Sequence, residues 1–334
     1  MSEFDDLKAQ VDAARERVNQ VPRTLARYFV DKDDLLELMA VCTVAAEPLL
    51  LVGPPGTAKS DLVVKFAECL GLEPGDYFEY MLTRFTEPNE IIGPIDINAL
   101  REGSYLRKVE GKLPTAKLAF LDEIFKSNSA ILNTLLTILN ERKYYQDGRP
   151  VAVPLVMLFA ATNSIARYEE MEALRDRFIL KAESRSVRGQ RFENLVQAGL
   201  ANEMYRAFNQ KPWASVARLD DFLTVRRYLD YVMTGMANGQ AGGAEALAAD
   251  MTRWFPPRVF DLFRRILAGL EAEELATVSD RKVIKLYRLL RTRAFLAHGG
   301  EVRAEDLRLL RFLGEDEEQF GLVRQRVEQM LQVG

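Results

Sequence analysis

The stretch LLLVGPPGTAKSDLVVKFAECL, Leu49–Leu70, joins an apolar run to Gly53-Pro54-Pro55-Gly56-Thr57-Ala58-Lys59-Ser60 and then to a segment with helical spacing. A strand that ends in a glycine-rich turn and enters a helix presents successive backbone N–H groups to an anion, aided by the helix dipole. The general pattern of such a loop is G-x-x-x-x-G-K-[ST], and here Ala58 precedes the lysine. Lys59 is placed to contact the β- and γ-phosphates of a nucleotide, and Ser60 to offer a hydroxyl to Mg²⁺. Ala58 reads as one added methyl at the helix start, where small size matters more than a positive φ. Gly53 and Gly56 remain for the tight turn.

The chain around this loop has 334 residues, enough for two ordinary domains. Hydrophobic residues make up 48% and charged residues 28%, a composition that packs a core. Forty-five basic residues against 49 acidic ones give a net charge of −4, which counts against a strongly basic nucleic-acid surface. Two cysteines, Cys42 and Cys69, and one histidine, His298, leave little for a His/Cys metal cluster or for Ser-His-Asp and Cys-His chemistry. Two unpaired thiols suit a reducing cytoplasm, the expected location. The N-terminal MSEFDDLKAQVDAARERV is charged and amphipathic, unlike a signal peptide, and no apolar run approaches the ~20 residues of a membrane span.

Short apolar runs alternate with helical ones. The pattern predicts helices over 4–20, 33–46, 61–70 and 130–141, and strands over 48–52, 77–83, 117–121, 155–162 and 178–181. Nearly continuous apolar strands between helices indicate a mostly parallel sheet covered on both faces, an α/β domain. Beyond Arg188, segments such as DDFLTVRRYLDYVM have helical spacing with no clear strands between them. The expected organisation is an N-terminal helix over 1–24, an α/β core over 25–188 and an all-helical domain over 189–334. A mobile loop is expected at 237–246.

Two further motifs complete a constellation. KLAFLDEI, 117–124, is an apolar strand ending in adjacent carboxylates, Asp122 and Glu123. A phosphate-loop hydrolase needs one acid to hold Mg²⁺ through its water shell and another to orient and activate the attacking water. Neighbours at a strand end point in different directions, so one carboxylate can serve each task. As a plain structural reading, Asp122 would only cap the next helix. VMLFAATNS then delivers Asn163 to the same sheet edge, either to hold water or to sense the γ-phosphate, or simply to make a turn. Arg175 and Arg177 follow in EALRDRFIL, and Arg281 opens a helical stretch in VSDRKVIKLYRLLRTR.

These parts in this order resemble the AAA+ ATPases, and more narrowly the MoxR family, especially its RavA-like branch. The likeness runs from about residue 25 to the C-terminal helices. It rests on GPPGTAKS, YMLTRFTEPNEIIGPIDINAL, FLDEIFKSNSAILNTLLTILNER, ATNS, LRDRF and SDRKVIKLYRLL. Alanine before the lysine is usual in that branch. The resemblance implies an AAA+ P-loop NTPase core with a C-terminal all-helical lid, taking ATP and Mg²⁺ as ligands. Gly53 to Ser60 then form Walker A, with Lys59 and Ser60 on phosphate and Mg²⁺. Asp122 is the Mg²⁺-associated acid of Walker B and Glu123 the catalytic base. Asn163 matches sensor 1 and Arg281 sensor 2. Arg177, or alternatively Arg175, matches the arginine finger that reaches a neighbouring subunit. A hexameric ring is implied, acting on a protein client, often one bearing a von Willebrand factor A domain.

Residues 93–117 look like the family's helix-2 insert. Residues 140–155 carry the turn signal Asp147-Gly148 between Tyr-rich and Val-rich flanks, which predicts a β-hairpin. Tyr105, Arg107, Tyr144 and Tyr145 are candidate client contacts on these inserts, unless both are only structural. The expected function is Mg²⁺-dependent ATP hydrolysis driving chaperone-like remodelling. The alternatives are a slow-hydrolysing ATP-dependent assembly switch and, against the charge balance, a DNA-acting ring.

Overall fold

A computed structural model describes residues 3–165, 168–187, 189, 191–234 and 251–333. Helix α1 spans Glu3–Leu25 and α2 Asp33–Ala45. Strand β1 (Leu49–Val52) leads through the glycine-rich loop into α3 (Lys59–Cys69), and β2 (Tyr77–Met81) follows. Two short helices, α4 (Pro88–Ile92) and α5 (Ile97–Arg101), precede β3 (Leu118–Asp122). Helix α6 (Ser129–Glu141) runs into a hairpin, β4 (Lys143–Gln146) and β5 (Arg149–Ala152), before β6 (Met157–Thr162). A short α7 (Glu172–Arg175) and β7 (Leu180–Glu183) end the strand-bearing part. The remaining helices are α8 (Phe192–Ala207), α9 (Leu219–Met233), α10 (Pro257–Ala272), α11 (Asp280–His298) and α12 (Glu317–Val333).

The chain forms two compact units. One holds residues 46–67 and 72–186, the other residues 1–45, 68–71 and 187–334. The first contains a five-stranded sheet in the order β2-β3-β6-β1-β7, with every pair parallel. Every residue of β1 and β6 is buried, and so are the first four of β3. That is why these strands read as unbroken apolar runs rather than alternating ones. The expected fifth strand, 178–181, starts two residues later at Leu180. Phe178 N–H still donates to Arg175 O in a turn, and pairing with β1 begins at Leu49↔Leu180.

The second unit contains no strand among its described residues. The sequence places the first 24 residues apart and residues 25–45 with the α/β core. The structure instead groups all of 1–45 with the helices. The reason is side-chain chemistry on α1 and α2. Phe4 stacks on Tyr228, Arg17 pairs with the buried Asp221, and Arg15 and Asn19 donate to Leu296 O. Helix α2 buries nine residues, Leu35, Leu36 and Leu38 to Val44, with only Glu37 between them half-exposed, as a helix packed on several sides must. The loop expected over 237–246 lies outside the described residues. No described helix is long and apolar enough to cross a membrane.

Candidate active site

Strand register brings the expected residues to one edge. Leu121 lies level with Ala160 and Val52 with Thr162, so β1, β3 and β6 release Gly53, Asp122 and Asn163 side by side at their carboxyl ends. In open α/β sheets this edge is where ligands bind.

The loop after β1 is held from within and from β7. Thr57 Oγ1 donates to Pro54 O, and Ser184 Oγ donates to Thr57 O at 2.7 Å. Ser184 N–H also continues the β1 ladder at Val52 O. A Cβ on Gly53 would lie 2.4 Å from Ser184 O, so only glycine fits there. Gly56 takes φ +79° and Ala58 φ +66°. The Ala58 geometry corrects the reading that small size matters more than a positive φ at this position. Helix α3 begins at Lys59, and Ala58 O accepts its first bond from Leu62 N–H. Residue 58 is therefore the left-handed hinge between loop and helix, the role a glycine fills without cost and an alanine fills at about 1 kcal/mol.

Lys59 is buried and folds back on its own loop. Its Nζ donates to Gly53 O at 2.5 Å, to Pro54 O at 3.2 Å and to Asn163 Oδ1 at 3.2 Å. Burial pushes its pKa below the ordinary lysine value, and the charges of Asp122 and Glu123 pull it partly back. The other end of the Asn163 amide, Nδ2, donates to Glu123 Oε1 at 2.5 Å. Ammonium, amide and carboxylate thus form one chain from the start of α3 past the end of β6 to the end of β3. Ser60 Oγ lies 3.3 Å from Asp122 Oδ2, so a hydroxyl and a carboxylate oxygen meet where α3 starts. These are hard oxygen donors of the type Mg²⁺ takes. Among the described residues there is no His/Cys/Asp/Glu cluster of metal-binding size.

Asp122 and Glu123 diverge as expected of a strand end. Asp122 Oδ1 accepts from the Glu123 N–H at 2.8 Å, and Glu123 itself turns to φ +54°. That left-handed step starts a 3-10 turn, Ile124–Lys126, in which Lys126 N–H donates to Glu123 O. Lys126 Nζ then reaches Glu123 Oε1 at 3.3 Å. Sequence reading missed Lys126 and Ser184. The three-residue offset from Glu123 was visible for the lysine, since side chains at i and i+3 eclipse in a 3-10 turn. Nothing local marks Ser184, which meets Thr57 across 127 positions through the β1–β7 pairing alone.

The expected arginines are placed separately. Arg175 closes α7 and Arg177 lies in the turn before β7, both half-buried. Arg281 is exposed in the first turn of α11, in the helical unit, behind the Ser279 cap. His298 ends the same helix, with Nε2 3.1 Å from Asp306 Oδ2.

The hairpin forms where expected, with Asp147 and Gly148 both left-handed as a two-residue type I′ turn requires. The 93–117 segment is pinned by an Ile95↔Arg107 bridge and meets the hairpin where Tyr105 N–H donates to Asp147 Oδ1. Tyr105 and Tyr145 are exposed. Tyr144 is not available as a contact, because strand alternation turns it inward, where its hydroxyl bonds Gln146 Oε1. Arg107 is half-buried and donates to Asn89 Oδ1 and Gly93 O, a structural use.

A parallel sheet in this order, a glycine-rich loop entering α3 and a separate helical C-terminal unit define an AAA+ ATPase fold with its lid. The crystal structure of a Cytophaga hutchinsonii protein named as a candidate ATPase has that fold, with a TM-score of 0.69 at 18% identity over 99% of this chain and 98% of its own. Residues 16–223 match the family described as the MoxR domain in the MoxR-vWA-beta-propeller ternary systems, and residues 258–327 match the AAA lid domain. The chain belongs to the MoxR family of AAA+ ATPases. An uncharacterized protein of Methanocaldococcus jannaschii is 31% identical over 89% of this chain and 70% of its own length. The chaperone MoxR1 of Mycobacterium tuberculosis is 29% identical over 53% of this chain and 45% of its own.

Proposed function

We propose that this protein is an Mg²⁺-dependent ATP hydrolase of the RavA-like branch that works as a hexameric ring. The observation that carries the reading is the Lys59–Asn163–Glu123 chain beside the Ser60–Asp122 pair at one sheet edge. Lys59 and the loop N–H groups bind the phosphates, and Ser60 and Asp122 hold Mg²⁺, which supplies charge neutralisation when bound. Glu123 accepts a proton from water as the water oxygen bonds the γ-phosphorus. The bond from that phosphorus to the β–γ bridging oxygen breaks, its electron pair leaves with ADP, and phosphate is released. Asn163 orients the reacting groups.

Arg177, with Arg175 as the alternative, is the finger supplied to the next subunit, and Arg281 reads nucleotide from the lid. A finger of this kind contributes roughly 10³–10⁵ in rate, so an isolated subunit is nearly inactive. The partner is a protein with a von Willebrand factor A domain, in keeping with the ternary systems for which the matching family is described. The exposed Tyr105 and Tyr145 on the two joined inserts are its candidate contacts.

The test is ATP hydrolysis per subunit, with Mg²⁺, as protein concentration is raised. Activity that climbs and then saturates supports a shared site. Replacing Glu123 by Gln lowers kcat by about 10²–10⁴-fold while nucleotide still binds. An absence of hydrolysis at every concentration, with and without a partner, would leave the assembly switch as the better reading.

A further inference from the structure

Glu123 receives one hydrogen bond and one ion pair on the same oxygen. Asn163 Nδ2 donates to Oε1, and Lys126 Nζ lies 3.3 Å from the same atom. Among the described residues no donor reaches Oε2. The two partners approach from different elements, Asn163 from the end of β6 and Lys126 from the 3-10 turn after β3. The carboxylate side chain is only 8% exposed, whereas that of Lys126 is 56% exposed. The lysine therefore stays largely hydrated while its charge lies against a nearly buried acid. The left-handed Glu123 backbone creates this meeting, because it starts the turn that brings residue 126 over residue 123.

We propose that Lys126 is a positioning residue for the hydrolytic step. With Asn163 it fixes the Glu123 carboxylate through Oε1 and leaves Oε2 as the oxygen that takes the proton from water. The inference rests on the ATP-hydrolysis reading above. A carboxylate held by one hydrogen bond still rotates about its last torsion, and a charge paired with the same oxygen from a second direction biases it against that rotation. Loss of Lys126 thus lowers the fraction of time in which Oε2 is presented, without touching the phosphate loop. An ordinary exposed i,i+3 ion pair would have no such effect on rate.

The experiment compares wild type, Lys126→Met, Lys126→Arg, Glu123→Gln and the Lys126→Met/Glu123→Gln double variant at a saturating subunit concentration. Steady-state kcat and KM for ATP are measured with binding of a fluorescent ATP analogue and thermal melting. Lys126→Met should lower kcat by about 10-fold, with KM and analogue affinity within about twofold. Lys126→Arg should recover most of the rate, and Lys126→Met should add nothing once Glu123 is Gln. An unchanged or raised kcat in Lys126→Met overturns the proposal. So does a joint loss of kcat, analogue binding and melting temperature, or an arginine variant as slow as the methionine one. A wild type as slow as Glu123→Gln would instead defeat the hydrolysis reading, and the proposal with it. A fast, Glu123-dependent wild type beside an unaffected Lys126→Met defeats the proposal alone.

Discussion

Ala58 and Gly53 show how one loop sets opposite demands on small residues. At φ +66°, Ala58 carries a methyl that the left-handed region disfavours. Ala58→Gly is expected to raise stability by about 1 kcal/mol, offset in part by the freer unfolded chain, and a urea melt measures the net. At Gly53 the backbone of Ser184 occupies the space of a side chain. Gly53→Ala should cost more than about 2 kcal/mol and abolish nucleotide binding, because the loop has to move away from β7. Calorimetric titration with ATP, beside the same melt, reads both effects. Asn163 makes a different demand. It presents an acceptor to Lys59 and a donor to Glu123 from one amide. Neither Asp nor Leu, both close in shape, offers that pair.

Among the elements, α6 and α9 depend on caps that also bind something else. Asn128 accepts from Ile131 N–H at the start of α6 while its amide donates to Thr86 O. Asn128→Ala should cost about 1–2 kcal/mol by chemical denaturation. Asp221 accepts from Arg218 N–H at the start of α9 and pairs with Arg17 of α1 at 2.7 Å. With Asp221 nearly buried, Asp221→Ala should cost about 3 kcal/mol, against less than about 1 kcal/mol for a fully exposed pair. Strands, the hairpin turn and the strand-end acids were legible because each follows from periodicity or turn chemistry within a dozen residues. The place of α1 and α2 was not, since Arg17 meets Asp221 across 204 positions and no local pattern carries that pairing. The conformation of Ala58 was hidden for another reason: spacing reports which residue stands at a position, not the φ it must adopt.

At the scale of the whole molecule, Cys69 is a probe of global opening. Burial pushes its thiol from the ordinary 9.0 up to about 12. The folded state therefore keeps a proton that the unfolded chain releases above about pH 9. The stability this protects is fully present below that pH and is lost as pH rises toward about 12. Wild type should lose more stability than Cys69→Ala between these limits, as denaturation midpoints along an alkaline series would record. Both thiols are buried, so their alkylation at neutral pH should be slowed in proportion to the small fraction of opened protein, and denaturant should speed it. The order of the sheet has a consequence during synthesis. Strand β1 lies between β6 and β7, so its two neighbours leave the ribosome long after it does. At ~5–20 residues per second, the phosphate loop waits on the order of 10 s for the strand that ends next to Ser184. Through that interval the nascent chain holds the Lys59 segment without its frame, and nucleotide can assist folding only near the end of the strand-bearing part.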